Sequence, residues 1–173
     1  MQQAMPDAPA GSRPAPPEIL PAEAATLLLD RPGVLVRRLH QVHSAMFQEE
    51  CAAFGVTPVQ YSLLSLVQAA PGMDQRSAAA GLRLDRFTTA DVIRRLQAAG
   101  FLRVAAGQDR RTRRLDLTAA GETVLAAMRP PAARAHARLV APLPPGDQAV
   151  LLRLLRQLVD AHEAEGAAAP KVR

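Results

Sequence analysis

Aromatic side chains make up only 3% of this 173-residue chain, tryptophan is absent, and there is one cysteine and one lysine. Each scarcity excludes something. With so few rings, the core has to be assembled from Leu, Val and Ala, a composition that favours packed helices. The single cysteine, Cys51, admits neither an intrachain disulfide nor a cysteine-cluster metal site. Among Ala52, Ala53 and Phe54 it is expected to be a small buried hydrophobe rather than a redox sensor. No apolar run reaches membrane-spanning length, and the N-terminus lacks a basic region followed by an apolar core. A cytoplasmic protein without a membrane partner is expected.

What is present is arginine. The formal charge is +5, and Lys171 is the one lysine among 21 basic residues. The planar guanidinium fork suits phosphates and base edges, although a GC-rich genome would also replace Lys with Arg. Location is more informative than total. From Asp74 to Leu115 ten arginines stand against Asp74, Asp85, Asp91 and Asp109, a net +6 that leaves −1 for the rest of the chain. Excess charge gathered in one segment is the footprint of a nucleic-acid-binding unit.

Hydrophobic periodicity and punctuation place that segment within a mainly helical fold. Residues 1–25 hold six prolines among alanines and read as a disordered Pro/Ala-rich arm, with a short helix possible over Ala22–Leu29. Leu35, Leu39, Val42 and Met46 form a helical stripe that Gly55 ends. Thr57-Pro58 starts a second helix, carrying Tyr61, Leu64, Leu66 and Val67. Asp74 then caps a short helix over residues 75–81. After a turn at Gly81-Leu82-Arg83, Asp85 caps another over residues 86–99, with Phe87, Ala90, Ile93 and Leu96 expected to face inward. Two short helices joined by a tight turn make a helix-turn-helix pattern.

Residues 101–105 and 113–117 alternate as strands, joined by a hairpin loop at 107–112. A β-hairpin directly behind a helix-turn-helix is a wing. Its tip crowds Arg110, Arg111, Arg113 and Arg114 together, which a polyanion would neutralise in the minor groove or at phosphates. Thr118 caps the next helix, with Glu122 as its approximate capping partner. Pro130-Pro131 predicts a kink or break there. Pro144-Pro145 opens a last helix with a broad apolar face at Val150, Leu151, Leu154, Leu155, Leu158 and Val159.

Two stretches, "LDRFTTADVIRRLQAAGFLRV" (84–104) and "DRRTRRLDLTAAG" (109–121), resemble the MarR-type winged helix-turn-helix regulators. That family's Asp-x-Arg wing is matched by Asp109 and Arg111, and its Leu-Thr-x-x-Gly helix start by Leu117, Thr118 and Gly121. The resemblance covers about residues 33–164. It implies a mainly α fold with a small β-hairpin wing: a winged helix-turn-helix core at about 57–117 within a domain at 26–166, and a helical dimerisation layer from helices at about 33–54 and 118–165. It also implies an obligate homodimer on a palindromic operator, released in many relatives by a small phenolic or carboxylic compound.

The candidate DNA contacts are Arg86, Thr88 and Thr89 on the opening turn of the recognition helix, where side chains reach base edges or phosphates. Ser77 and Arg83 are candidates for phosphate, and Arg94 and Arg95 for phosphate clamps or interdomain salt bridges. Arg110, Arg111 and Arg113 of the wing are candidates for the minor groove or phosphates, while Asp109 is expected to orient a wing or recognition-helix arginine through a charge-assisted bond. Asp91 departs from the hydroxyl and basic residues of many relatives. It either accepts from cytosine or pairs with Arg94 or Arg95, and the internal pair is favoured. Arg37, Arg38, His40, His43 and Tyr61 are candidates for binding an aromatic carboxylate effector. His40 and His43 alone make a weak metal site, and no cofactor is expected. The histidines at 40, 43, 136 and 162 form no triad pattern, and no nucleophile elbow or phosphate loop is present, which argues against an enzyme. A constitutive architectural DNA binder is the remaining alternative.

Overall fold

Thr57, Asp74, Asp85 and Thr118 each cap a helix with a side-chain oxygen, as their positions before apolar runs predict. The structure is a computed structural model that describes residues 31–106 and 113–168, with side chains to Ala164. Two compact units divide the chain, Met1–Arg38 and Leu39–Arg173. The described part of the first is Arg31 and the opening of helix α1 (Pro32–Cys51). The arm, the short helix at 22–29 and the wing tip lie outside the described residues.

In the second unit, α1 ends through a 3-10 turn (Ala52–Phe54) and Gly55 in the left-handed conformation, φ 61°. Thr57 accepts from the Gln60 N–H while the Gln60 side chain accepts from the Thr57 N–H at 2.9 Å, a full capping box for α2 (Pro58–Ala69). There follow β1 (Met73–Asp74), α3 (Gln75–Leu82), α4 (Arg86–Ala98), β2 (Leu102–Ala106) and β3 (Arg113–Leu117). The chain closes with α5 (Ala119–Val140) and α6 (Pro145–Ala168). The sheet is antiparallel in the order β1-β3-β2. The hairpin register sets Leu102 opposite Leu117 and Val104 opposite Leu115. The third strand was not expected: Met73 pairs with Leu115 and Asp74 with Arg114, fastening the wing to the residues that start α3.

Leu63, Leu64, Val67, Ala78, Ile93, Leu96, Leu102, Leu115, Leu125 and Met128 are buried together with Phe47 and Cys51 of α1. Cys51 is a core residue, and burial raises its thiol pKa. The wing joins α5 by close backbone approach. Thr118 donates its N–H to the Phe101 carbonyl at 3.1 Å and its hydroxyl to Gly100 at 2.6 Å. A Cβ on Gly121 would stand 2.0 Å from the Phe101 oxygen, so the Leu-Thr-x-x-Gly pattern has a steric cause. Glu122 falls one position beyond the capping register: Gly121 is the residue that donates to Thr118, at 3.0 Å.

Two expectations are corrected. Helix α5 runs through Pro130 and Pro131 without a break. Its face at Leu125, Met128, Pro131, Ala132 and Ala135 is buried, and that packing outweighs the two missing N–H donors. On α4 the buried residues are Thr89, Val92, Ile93 and Leu96, whereas Phe87 and Ala90 are exposed. A strict three-residue interval drifts around a helix of 3.6 residues per turn. The i, i+3, i+4, i+7 set is the one that stays on the core.

Candidate nucleic-acid interface

Helices α3 and α4 meet at Arg83, which takes the left-handed conformation (φ 52°) usually left to glycine. Its guanidinium forks onto Glu163 of α6, Nε to Oε1 at 2.8 Å and Nη2 to Oε2 at 2.7 Å. Arg83 is therefore bound by a carboxylate, where the sequence suggested a phosphate contact. The first turn of α4 is held by Asp85, which accepts from the N–H groups of Phe87 (2.8 Å) and Thr88 (2.9 Å) and from the Thr88 hydroxyl. Those bonds, the Thr88 hydroxyl first, hold the Asp85 carboxyl below the usual carboxylate range.

The candidate contacts separate into three groups. Thr89 is corrected to a core residue: it is 0% exposed, and its hydroxyl donates to the Asp85 carbonyl at 2.8 Å. Thr88 and Ser77 are exposed, but both sit against their capping carboxylates. Arg94 and Arg95 share Asp91, Arg95 through Nε to Oδ2 at 2.7 Å, which is the internal pair expected for that acid. Arg103 faces Asp116 across the hairpin at 3.7 Å. Arg86 and Arg113 are exposed, with no hydrogen bond or ion pair among the described residues. Asp109, Arg110 and Arg111 lie outside the described residues.

A second cluster lies between α1 and α5. The rings of His43 and His136 stack with centroids 5.1 Å apart and 11° between planes, and Phe47 bridges His43 to Tyr61 at 6.2 and 5.6 Å. Nε2 of His43 is buried without a hydrogen-bond partner among the described residues. Burial, then the neighbouring His136 and His40, lowers the His43 pKa, so the imidazole is neutral at pH 7. Beside this stack Glu50 accepts from Arg134 (2.8 Å) and Arg138 (2.9 Å), and Arg138 also reaches Glu49 (2.8 Å). These pairs fasten α1 to α5 on either side of His136. His43 and Tyr61 thus come together around Phe47, while His40 is exposed. Arg37 and Arg38 belong to the first unit and are exposed. His136 was missed, because its partner lies far along the chain and no local spacing marks it.

Two helices joined by a left-handed turn, closed by a three-stranded antiparallel sheet, define a winged helix-turn-helix transcriptional regulator. Residues 54–112 match the model of the MarR family. The chain is 36% identical to the PcaV transcriptional regulator from Streptomyces coelicolor, over 78% of this chain and 98% of that one, with a TM-score of 0.67. It is 28% identical to the transcriptional repressor CouR bound to a 23-mer DNA duplex, over 76% and 94% of the two chains, with a TM-score of 0.72. BpsR of Bordetella bronchiseptica, whose DNA binding is regulated by 6-hydroxynicotinic acid, is 27% identical over the same shares, again with a TM-score of 0.72. The chain belongs to the MarR family, and its fold and relatives are those of transcriptional regulators, not enzymes. No helix among the described residues is long and apolar enough to cross a membrane.

Proposed function

We propose that this protein is a cytoplasmic repressor that binds a palindromic operator as a homodimer and leaves it when a small aromatic or phenolic carboxylate binds. The observation that carries the DNA half is the division of the arginines. Arg83, Arg94, Arg95 and Arg103 face carboxylates of the same chain, whereas Arg86 on the first turn of α4 and Arg113 on the wing do not. Arg86 and Arg113 sit where a recognition helix and a wing meet a duplex. Arg110 and Arg111 of the wing motif are further candidates, as are the exposed Ser77 and Thr88, the Thr88 hydroxyl being given to Asp85 in the unbound chain.

Homodimerisation is supported by apolar surface. Among the described side chains of α6, which run to Ala164, none is buried, and Leu152, Leu154, Leu158 and Val159 stand exposed on it, as do Leu39 and Val42 on α1. A second copy with the same faces would cover them.

The effector half rests on the stacked imidazoles. A neutral, half-buried His43 with a free ring nitrogen, lined by Phe47 and Tyr61, offers an aromatic acid both a ring surface and a hydrogen bond. A carboxylate arriving there favours the imidazolium, so binding takes up a proton.

Selecting duplexes from genomic fragments with the full-length protein, with and without a panel of aromatic acids, tests both halves. Enrichment of a palindromic duplex that one acid abolishes is the expected result. Sequence-indifferent retention that no acid changes would leave an architectural DNA binder instead.

A further inference from the structure

Phe87 is 87% exposed, the highest value among the large apolar side chains of the described residues. A lone exposed apolar residue is ordinary on a protein surface. Its position makes this one unusual. The core-facing residues of α4 are Thr89, Val92, Ile93 and Leu96. At about 100° per residue Phe87 points nearly opposite to them, with Ala90, Asp91 and Arg94 on the same outward side. Its N–H and that of Thr88 both donate to the Asp85 carboxylate, which pins Phe87 in the first helical turn, next to the unpaired Arg86.

The polar side chains around it are already occupied. The Thr88 hydroxyl is given to Asp85, that of Thr89 to the backbone, and the Asp91 carboxylate to Arg94 and Arg95. What the exposed surface of the first two turns offers a duplex is one cation, Arg86 at the flank, and on the outward face an apolar surface made of Phe87 and Ala90. The major-groove edges of the base pairs are polar except for one protruding group, the C5-methyl of thymine. Resting on the DNA-binding role proposed above, we infer that Phe87, with Ala90 beside it, reads thymine methyl groups in the major groove, and that this contact sets part of the sequence preference of the protein.

The test uses a duplex recovered by full-length protein from a random pool, resynthesised with single thymines replaced by deoxyuridine. The exchange removes only the methyl and keeps every hydrogen-bonding group. Wild-type protein should lose about fourfold in affinity for each methyl that it buries, the worth of one buried carbon. Phe87→Ala should bind the thymine duplex more weakly and show no loss at those positions, while Phe87→Leu keeps part of the discrimination. Because Phe87 is exposed, melting of both variants should match wild type. Equal wild-type affinity for every thymine and deoxyuridine duplex overturns the inference, as does full discrimination retained by Phe87→Ala. Failure of the wild type to enrich any duplex is a different failure, that of DNA binding itself, and the inference falls with it.

Discussion

In the winged segment Leu63, Leu64, Ala78, Leu96 and Leu115 are sealed from solvent, whereas Leu39 and Val42 of α1 and Leu154 and Leu158 of α6 are between 37% and 57% exposed. The same kind of residue serves opposite ends in the two regions. The wing and its helices close a core with what one chain supplies. The long helices keep leucine and valine on the outside, where only another surface can cover them. Substitutions in the first region should therefore act at any protein concentration, and those in the second through association.

The largest effects are expected in the closed region, where packing leaves no room to adjust. Gly121→Ala puts a carbon into the Phe101 carbonyl, a backbone atom that cannot swing aside. A loss of about 1–3 kcal/mol or more is expected from such overpacking, independent of concentration in thermal melts. Leu64→Ala, which hollows the same core, should cost about 2–5 kcal/mol. A Gly121→Ala protein melting like wild type would show that α5 can shift away from the wing.

The open region gives the contrasting case. Leu154→Asp with Leu158→Asp should convert a dimer to monomer in sedimentation or light scattering, leaving the helix-turn-helix core folded or the whole chain less stable at low concentration. An unchanged dimer mass would remove α6 from the interface. The DNA surface should respond by salt dependence rather than stability. Arg111→Ala should weaken operator and unrelated A/T-rich duplex alike and lower the salt slope by about one. Asp109→Ala, if that acid orients an arginine of the wing, should also weaken binding despite the added positive charge. Tighter binding by a normally folded Asp109→Ala would make it a turn residue only.

These contrasts also show what was legible in the linear chain. Caps were, because a Thr or Asp and the N–H that it accepts are two or three residues apart. Asp74 and Asp85 needed no tertiary information. The β1 strand did, since Met73 and Asp74 acquire their partners from Leu115 and Arg114 on the far side of α4. At Pro130-Pro131 no break occurred, because local helix-breaking chemistry lost to burial of the α5 face. Phe87 was misplaced by a three-residue count on a helix whose geometry favours three and four alternately. The His43–His136 stack was illegible for the same reason as β1: two elements distant in sequence create it.

That stack predicts a modest pH dependence. The His43 pKa is depressed below its ordinary 6.5, so between that value and the lower folded one the unfolded chain binds more protons. Stability from the neutral imidazole is present above pH 6.5 and is lost as pH falls below it. Melting temperature should fall from pH 7.5 toward 5.5 in wild type, and less steeply in His43→Gln. An aromatic carboxylate bound at the pair should reverse the trend, its affinity rising as pH falls, with proton uptake visible by calorimetry in buffers of different ionisation enthalpy.

The smallest effect on stability is expected at the Arg83–Glu163 fork, which joins the turn of the helix-turn-helix to α6. Both side chains are substantially exposed, and such pairs add little to folding. Glu163→Gln should leave the melting curve unchanged. It should nevertheless alter DNA binding. Glu163 holds the guanidinium that stands in the turn between α3 and α4, and removing its charge frees Arg83 to meet a phosphate. The salt slope should then steepen by about one, the value of one additional phosphate contact. Arg83→Ala supplies the control, since it removes the cation along with the fork and should leave the slope where wild type has it. If Glu163→Gln leaves the slope unchanged as well, Arg83 does not face the duplex, and its role is confined to holding α6 against the turn.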